Sequence, residues 1–424
     1  MRQTAAMAII AATPELGPWS PLRVRVFRAM WIASVVSNVG TTMHTVAAAW
    51  AMTDLSSNPT VVSLVQTAWG VPGFLVAIPA GAFADVLDRR KLILISQVVS
   101  MLLAAALGVL TVTHHLQVPS LLMLTFVLSV ALTMSGPAFM ALIPDLVTPA
   151  ELGQAIGLNN IAYNGSQSAG PALAGVAIAL AGPGAVFLIN AASFLGIVVV
   201  MWRYRPERPG PTSNEPKLAA MKTGITYFAG KPVLKKYAIR IALSFLATSA
   251  MVALLPVVAR QQLHTTATQF GLLSAAVGIG AVMAVWLMPP LKLRFEPDAL
   301  IFGAATLWSL GTAMVAVTEW IPVALVGVLF TGIGSMAAMN TIYSMFMMML
   351  PTWIRGRASS VVMLTVWVGM SLGAVLWGAA ANAIGIRDAL LLAAAFHLAV
   401  TAVVTTLFRL TIEELDSEPP NVTS

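Results

Sequence analysis

The stretch Lys91-Leu-Ile-Leu-Ile-Ser-Gln-Val-Val-Ser-Met-Leu-Leu-Ala-Ala-Ala-Leu-Gly-Val-Leu-Thr-Val-Thr113 carries no charge after its first residue. A helix needs about 20 mostly apolar residues to cross the roughly 30 Å hydrocarbon core of a bilayer. This stretch meets that requirement and therefore predicts a membrane-spanning helix.

The rest of the chain repeats this pattern. Of its 424 residues, 58% are hydrophobic and 9% are charged, whereas an average soluble protein is roughly 25% charged. We therefore predict an all-α integral membrane protein with 12 transmembrane helices. The windows lie near 27–50, 60–82, 91–113, 119–142, 150–180, 184–202, 237–259, 268–290, 298–317, 322–350, 358–382 and 389–408.

Several classes of chemistry find no support in the sequence. The absence of cysteine excludes structural disulfides and thiolate metal sites. The only paired histidines, His114 and His115, have no carboxylate near them, and no glycine–lysine loop for phosphate is present. We expect no enzyme, no cofactor and no metal, so that any energy would come from an ion gradient.

The net charge of +7 reflects how the chain is oriented. If the N-terminus is cytoplasmic, every Lys and Arg except Arg260 and Arg387 falls in the cytoplasmic segments. Basic residues accumulate on that side of membrane proteins. The pattern predicts that both termini are cytoplasmic, and it explains the basic balance without nucleic acid.

One polar segment, 203–236, divides the windows into six and six. Within it Leu218, Met221, Ile225 and Phe228 recur at helical spacing, which predicts a short helix at the membrane interface. The expected organisation is a tail, a six-helix half, a linker, a second half and a tail, covering 1–26, 27–202, 203–236, 237–409 and 410–424.

The two halves also repeat in sequence. At a constant offset of 203, four glycines of the first half fall on glycines of the second. Membrane helices favour glycine at contacts in any case, but four matches at one offset favour duplication. We predict two parallel six-helix repeats. The pairs are Gly153 with Gly356, Gly170 with Gly373, Gly175 with Gly378, and Gly182 with Gly385.

The loop before the opening stretch reads Gly81-Ala-Phe-Ala-Asp85-Val-Leu-Asp88-Arg89-Arg90-Lys91. It resembles the signature loop of the major facilitator superfamily, with Val86 and Asp88 departing from its pattern. The resemblance implies that this cluster locks the halves together in the outward-facing state. A stop-transfer cluster of positive charges would explain the basic residues alone.

A second signal lies just beyond the fourth window. Thr148 and Glu151 have capping-box spacing, with Pro149 at the first helical position. The fifth helix should therefore run from 149 to about 180, longer than a bilayer requires, and project into the cytoplasm. That would bring Asp145 close to the signature loop, and we predict an ion pair between Arg89 and Asp145.

Small residues on the fifth window resemble the antiporter motif of the same superfamily, which is associated with export. Spaced in this way they form a smooth face for another helix, although ordinary small-residue packing would look similar. The matching residues are Gly157, Ser166, Gly170, Pro171 and Gly175.

Three further stretches are similar to the exporter branch of transmembrane secretion effectors, which includes the enterobactin exporters. This resemblance implies a monomer in the bacterial inner membrane. The stretches are Phe27-Arg-Ala-Met-Trp31 with Ser37-Asn38-Val39-Gly40-Thr41, then Ala253-Leu-Leu-Pro256-Val-Val-Ala-Arg260, and Gly271-Leu-Leu-Ser-Ala.

No carboxylate lies near the centre of any window, so His44 is expected to be the only titratable side chain deep in the bilayer. It could carry a proton, because its ordinary pKa is near 6.5, or be a neutral histidine hydrogen-bonded between helices. Polar side chains that could line a substrate cavity, or join helices instead, are Asn38, Thr41, Gln66, Trp69, Asn160, Asn164, Gln167, Asn340 and Tyr343.

These features together predict a proton-driven exporter of a small organic compound such as a drug, a siderophore or a related metabolite. It would work by alternating access between its halves. Two alternatives remain open: an uptake symporter of the same fold, and a non-transporting membrane sensor or assembly factor.

Overall fold

The computed structural model describes residues 17–76, 79–80, 87–205, 231–350 and 355–407. Its α-helices are α1 (Arg25–Leu55), α2 (Pro59–Leu75), α3 (Arg89–Val112), α4 (Val118–Leu146), α5 (Leu152–Arg203), α6 (Pro232–Val257), α7 (Ala267–Lys292), α8 (Pro297–Val317), α9 (Ile321–Met349), α10 (Arg355–Ile384) and α11 (Ile386–Leu407). Nine helical segments among these residues are long and apolar enough to cross a membrane. The predicted all-α membrane class is therefore confirmed.

The longest helix, α5, changes direction at Gly182. A straight helix of its 52 residues would be roughly 78 Å long, more than twice the hydrocarbon thickness. Gly182 leaves the helical conformation with φ +77° and ψ 170°. Gly385, its partner at the offset of 203, also has a positive φ and joins α10 to α11. Both positions use the left-handed freedom of glycine to turn the chain.

Some helix ends differ from the predicted windows. The helix predicted over 60–82 ends at Leu75, where Val76 is its C-cap, four residues after the internal Pro72. Helical backbone is found again at residues 79–80. Helical structure also enters both ends of the predicted linker, because α5 continues to Arg203 and α6 begins at Pro232. The expected interfacial helix at 218–228, Gly81 and Asp85 lie outside the described residues, as do most of both predicted tails.

We call the described residues up to 205 the N-terminal half and those from 231 onward the C-terminal half. Their packing repeats. In the N-terminal half α5 packs on α1, and in the C-terminal half α10 packs on α6. Across the halves, α5 packs on α7 and α10 packs on α2. The helices with matched glycines therefore occupy matched positions.

Two of the four matched glycine pairs lie at these contacts. Gly170 approaches Thr42 of α1, whereas Gly373 approaches Ser249 of α6. Contacts between the halves follow the same rule and are made by Gly175 against Gly271 of α7 and Gly378 against Ser63 of α2. A Cβ atom on any of these four glycines would collide with its neighbour. These repeated glycines therefore permit close approach of helices.

Buried apolar residues show that the two ends of the bundle differ. We name the ends after Arg89 and Arg260, which lie at opposite ends. At the Arg260 end one core cluster joins both halves. At the Arg89 end the halves have separate clusters. Examples are Trp50, Phe270 and Trp377 in the shared cluster, Phe27, Leu142 and Met201 in the N-terminal cluster, and Leu234, Tyr237 and Phe346 in the C-terminal cluster.

Candidate functional site

The Arg260 end of the interface is closed by polar contacts between the halves. Arg260 Nη2 lies 2.5 Å from Asp54 Oδ1, and its guanidinium carbon lies 4.9 Å from the centroid of the Trp50 ring. Beside this pair, Gln261 Nε2 donates a hydrogen bond of 2.7 Å to the carbonyl oxygen of Ser57. A cation over an indole face adds attraction to the ion pair. The charge pattern of the sequence predicted Arg260 outside the cytoplasmic segments but indicated no partner for it.

Directly behind these contacts the helices touch. The rings of Trp50 and Phe270 stack with centroids 5.2 Å apart. Thr60 Oγ1 donates to the carbonyl oxygen of Gly378 at 3.1 Å. The Cα atoms of Gly175 and Gly271 face each other with no space for a side chain. The Arg260 end is thus sealed by backbone packing as well as by charge.

At the Arg89 end the predicted ion pair is present. Arg89 Nη1 lies 3.1 Å from Asp145 Oδ2 and also donates to the carbonyl oxygen of Ala141 at 3.1 Å. Both partners belong to α4 of the same half. The capping box that suggested this pair is also confirmed, because the backbone N–H of Thr148 donates to Glu151 Oε2 at 3.4 Å.

The neighbouring residues of the signature loop are used within the same half. Arg90 donates to the carbonyl oxygens of Met201 and Trp202 at the end of α5, at 2.7 and 2.8 Å. Asp88 caps α3 by accepting from the backbone N–H groups of Arg90 and Lys91. This capping role was missed, although aspartate before a helix is a standard capping signal.

The C-terminal half has its own polar contacts at the Arg89 end. Arg240 is buried and lies 3.1 Å from Asp298. Lys292 Nζ donates to Asn340 Oδ1 at 2.6 Å and to Ser344 Oγ at 2.8 Å. Sequence reasoning missed both contacts and expected Asn340 in the cavity lining. Lys292 was detectable, because it lies 203 residues after Arg89.

The antiporter-like motif behaves differently along its length. Gly170, Pro171 and Gly175 are buried against other helices. Ser166 is also buried and its carbonyl oxygen accepts from Thr42 Oγ1 at 3.0 Å. A Cβ atom on Gly157 would meet nothing within 4 Å. In this conformation the packing face therefore covers only the part of the motif nearer the Arg260 end, and Gly157 is not packed against another helix.

A small cavity lies between α1, α2, α4 and α6, with room for water rather than for an organic substrate. The predicted residues Gln66 and Trp69 line it, together with Thr45 and Thr125. The Thr125 hydroxyl is buried and has no hydrogen-bond partner among the described residues. The remaining lining is apolar: Ala48, Ala49, Val62, Val65, Val252, Ala253 and Pro256.

His44 is fully buried next to this cavity. Its ring centroid lies 6.4 Å from that of Trp69 and 4.7 Å from that of Phe187. Neither ring nitrogen has a hydrogen-bond partner within the described ranges. The expectation that His44 is the only titratable side chain deep in the bundle is wrong. His397 is also buried, edge-on to Trp308, and lies in the predicted window 389–408.

The other predicted cavity residues fall into two groups. Asn38 and Thr41 of α1 and Tyr343 of α9 are partly buried. The polar side chains of α5 are exposed instead, and Asn164 donates to the carbonyl oxygen of Asn160 at 2.9 Å. The exposed group comprises Asn160, Asn164 and Gln167.

Comparison with known proteins places this fold and interface in the major facilitator class. The profile of the transmembrane secretion effector family matches residues 16–423. The chain belongs to the transmembrane secretion effector family. Its relatives in sequence and structure are transporters rather than enzymes, and it is a multi-pass protein of the bacterial inner membrane.

Relatives include the multidrug efflux pump Tap of Mycolicibacterium fortuitum, 24% identical over 91% of this chain and 97% of the relative. The staphyloferrin A transporter of Staphylococcus aureus is 23% identical over 80% and 85%. The enterobactin exporter of Citrobacter koseri is 25% identical over 70% and 74%. With the uncharacterized transporter YfiS of Bacillus subtilis, the match spans about half (49%) of that relative.

Solved structures agree on the fold. A bacterial homolog of the human lysosomal transporter Spinster superposes with a TM-score of 0.75 at 14% identity, over 92% of this chain and 98% of that one. A bacterial homologue of the iron transporter ferroportin gives 0.70 at 16% identity, over 91% and 98%.

Proposed function

We propose that the chain is a secondary active transporter that exports a small organic compound by alternating access, in exchange for protons. One observation carries this proposal. The two halves share a core and an ion pair at the Arg260 end, whereas at the Arg89 end each half has its own core and its own charge pairs. An interface joined at one end is one of the two states that alternating access requires.

The orientation follows from the charges. If Gly182 separates two spans, the eleven helices correspond to twelve membrane crossings in two repeats of six. The accumulation of Lys and Arg toward the Arg89 end then makes that end cytoplasmic, with both chain termini. We infer that the described conformation is open to the cytoplasm; the solved structures of the Spinster and ferroportin homologues are likewise inward-facing.

Export, rather than uptake, is supported by the names of the relatives and by the antiporter-like motif. Those names include a drug efflux pump and an exporter of the siderophore enterobactin. We infer a drug, a siderophore or a related metabolite as substrate, bound between the halves of a monomer. In the outward-facing state, the loop containing Gly81, Asp85 and Arg89 would lock the cytoplasmic ends together.

His44 is our candidate for the proton-carrying residue. A buried imidazole with two unpartnered nitrogens has no structural hydrogen bond to lose on protonation. His44→Gln should make substrate flux insensitive to an imposed pH gradient. His397→Gln is the matched control, because that ring is equally buried but packs on Trp308 of the C-terminal half. Retained proton-driven efflux in a well-folded His44→Gln protein would exclude His44.

Substrate flux in proteoliposomes, with and without an imposed pH gradient, tests the function as a whole. Candidate substrates are the compounds that accumulate in a deletion strain. Flux out of the cytoplasmic compartment that is driven by inward proton movement is expected. Co-directional movement of substrate and protons would indicate an uptake symporter, and no flux for any accumulated compound would favour a non-transporting sensor or assembly factor.

A further inference from the structure

One face of α7 passes from tight packing to an open gap. Gly271, Gly278, Val285 and Lys292 are spaced by seven residues and so lie on nearly the same side of the helix. Gly271 meets Gly175, and Gly278 meets the backbone next to α5 residue Gln167. Further toward the Arg89 end, Val285 is 47% exposed and Lys292 is also exposed. The face that touches α5 at two glycines is therefore uncovered at its last two positions.

The opposite side of the gap is polar but uncharged. Asn164 and Asn160 lie one and two turns beyond Ser168, where α5 last approaches α7. Both asparagines are exposed, and α5 contains no Asp, Glu, Lys or Arg between residues 152 and 168. The α5 residues from 152 to 168, which lie across the gap from this part of α7, therefore offer amide groups and no carboxylate.

Lys292 also lacks the carboxylate partner that Arg89, the residue at its matched position, has. At the offset of 203, Arg89 corresponds to Lys292 and Ala141 to Ser344, and both cations contact that second position. Asp145, however, corresponds to Met348. The bonds of Lys292 to Asn340 and Ser344 are to neutral oxygens, and it makes no ion pair with the nearby Glu296 in the described chain. Within the described ranges, no carboxylate therefore neutralises its positive charge.

We propose that Lys292 forms an anion-binding site at the mouth of the gap, and that the exported compound carries a negatively charged group such as a carboxylate. Asn340 and Ser344 hold the ammonium group in place, and the amides of Asn160 and Asn164, further into the gap, can donate hydrogen bonds to other parts of the substrate. This proposal rests on the transport function proposed above and specifies its substrate class as organic anions.

The natural absence of cysteine allows the potential at this site to be measured without any substrate. Val285→Cys places a single thiol about 10 Å from Lys292 along α7. Its rates of modification by an anionic and a cationic methanethiosulfonate reagent are compared at low salt. Adding Lys292→Gln should lower the anion-to-cation rate ratio about threefold, whereas Lys292→Arg should preserve it. A thiol introduced by His115→Cys, at the Arg260 end, should show no change in this ratio when Lys292→Gln is added.

An unchanged ratio in the Lys292→Gln protein, or a thiol at 285 that reacts with neither reagent, would overturn the proposal. A second arm uses benzenesulfonate and its neutral analogue benzenesulfonamide as competitors of substrate flux. The anion should inhibit more strongly, and only in proteins with Lys292 or Arg at this position; equal inhibition by both would overturn the substrate class. Failure of all flux with an intact rate ratio would instead contradict the proposed function.

Discussion

The two ends of the interface between the halves differ in where their charged side chains find partners. At the Arg260 end, the charge of one half is matched by Asp54 of the other, with the ring of Trp50 alongside. At the Arg89 end, Arg89 finds its carboxylate, Asp145, within its own half. A half that satisfies its own charges can separate from its partner without leaving an ion unpaired, which would be costly.

If the halves alternate as proposed, each end can open and close for a different reason. At the Arg260 end, the ion pair is half exposed, with 43% of each side chain accessible, so water can replace either partner when the halves separate. At the Arg89 end, Arg89 and Arg240 already have carboxylate partners within their own halves while the halves are apart. Variants that alter one end should therefore shift the equilibrium between conformations in a predictable direction.

The largest effect is expected from Gly271→Leu. Its side chain would collide with Gly175 and prevent closure at the Arg260 end, because overpacking a tight contact costs about 1–3 kcal/mol. We expect substrate flux in proteoliposomes to fall by about five- to 150-fold, by the conversion of free energy to equilibrium constant. Gly303→Leu is the control, since its Cβ would meet open space. Normal flux in Gly271→Leu would show that this contact is not needed for the transport cycle.

An intermediate effect is expected at the other end. Arg89→Asp would place two carboxylates together beside α4 and release the loop that the proposed lock requires. Transport should fall several-fold, and the double variant Arg89→Asp, Asp145→Arg should recover most of it if the pair acts as a unit. If charge reversal of both residues recovers nothing, the functional role of the pairing is wrong.

The smallest effect is expected from Arg260→Ala. Exposed ion pairs contribute about 0.2–1 kcal/mol, and a cation–π contact adds about 0.5–1 kcal/mol. The Arg260 end should open up to about tenfold more often, without loss of folding. Spin labels on cysteines introduced at Ser57 and Thr318 would report the distance between the halves. The control is Arg387→Ala, at the other basic residue predicted on this side, which should leave the distances unchanged. Unchanged distances in Arg260→Ala would contradict a role of Arg260 in holding this end closed.

Sequence reasoning succeeded where one local signal fixed the geometry. The capping box at Thr148 and Glu151 defined where α5 begins, and that start brought Asp145 toward Arg89. Glycines at a constant offset identified helix contacts, because close approach of two backbones excludes a side chain. In each case the chemistry depended on neighbours in sequence or on the size of a residue.

Side-chain partners that depend on how two helices are rotated toward each other could not be predicted in this way. Nothing near Arg260 in sequence points to Asp54, which lies 206 residues away in the other half. The end of α2 at Leu75 was also missed, since an apolar window continues smoothly beyond it. His397 is a different kind of miss. This histidine lies within the predicted window 389–408, so the sequence alone shows a second titratable side chain inside a membrane span.

The tight turns at Gly182 and Gly385 have a consequence for how the protein enters the membrane. Between residues 181 and 183 there is no loop that could be translocated on its own, and the same holds between α10 and α11. The helices on either side of each glycine must therefore be inserted together as a helical hairpin. A substitution at Gly182 would impose left-handed backbone strain on another residue, and its first effect would fall on the biogenesis of the protein rather than on its transport cycle.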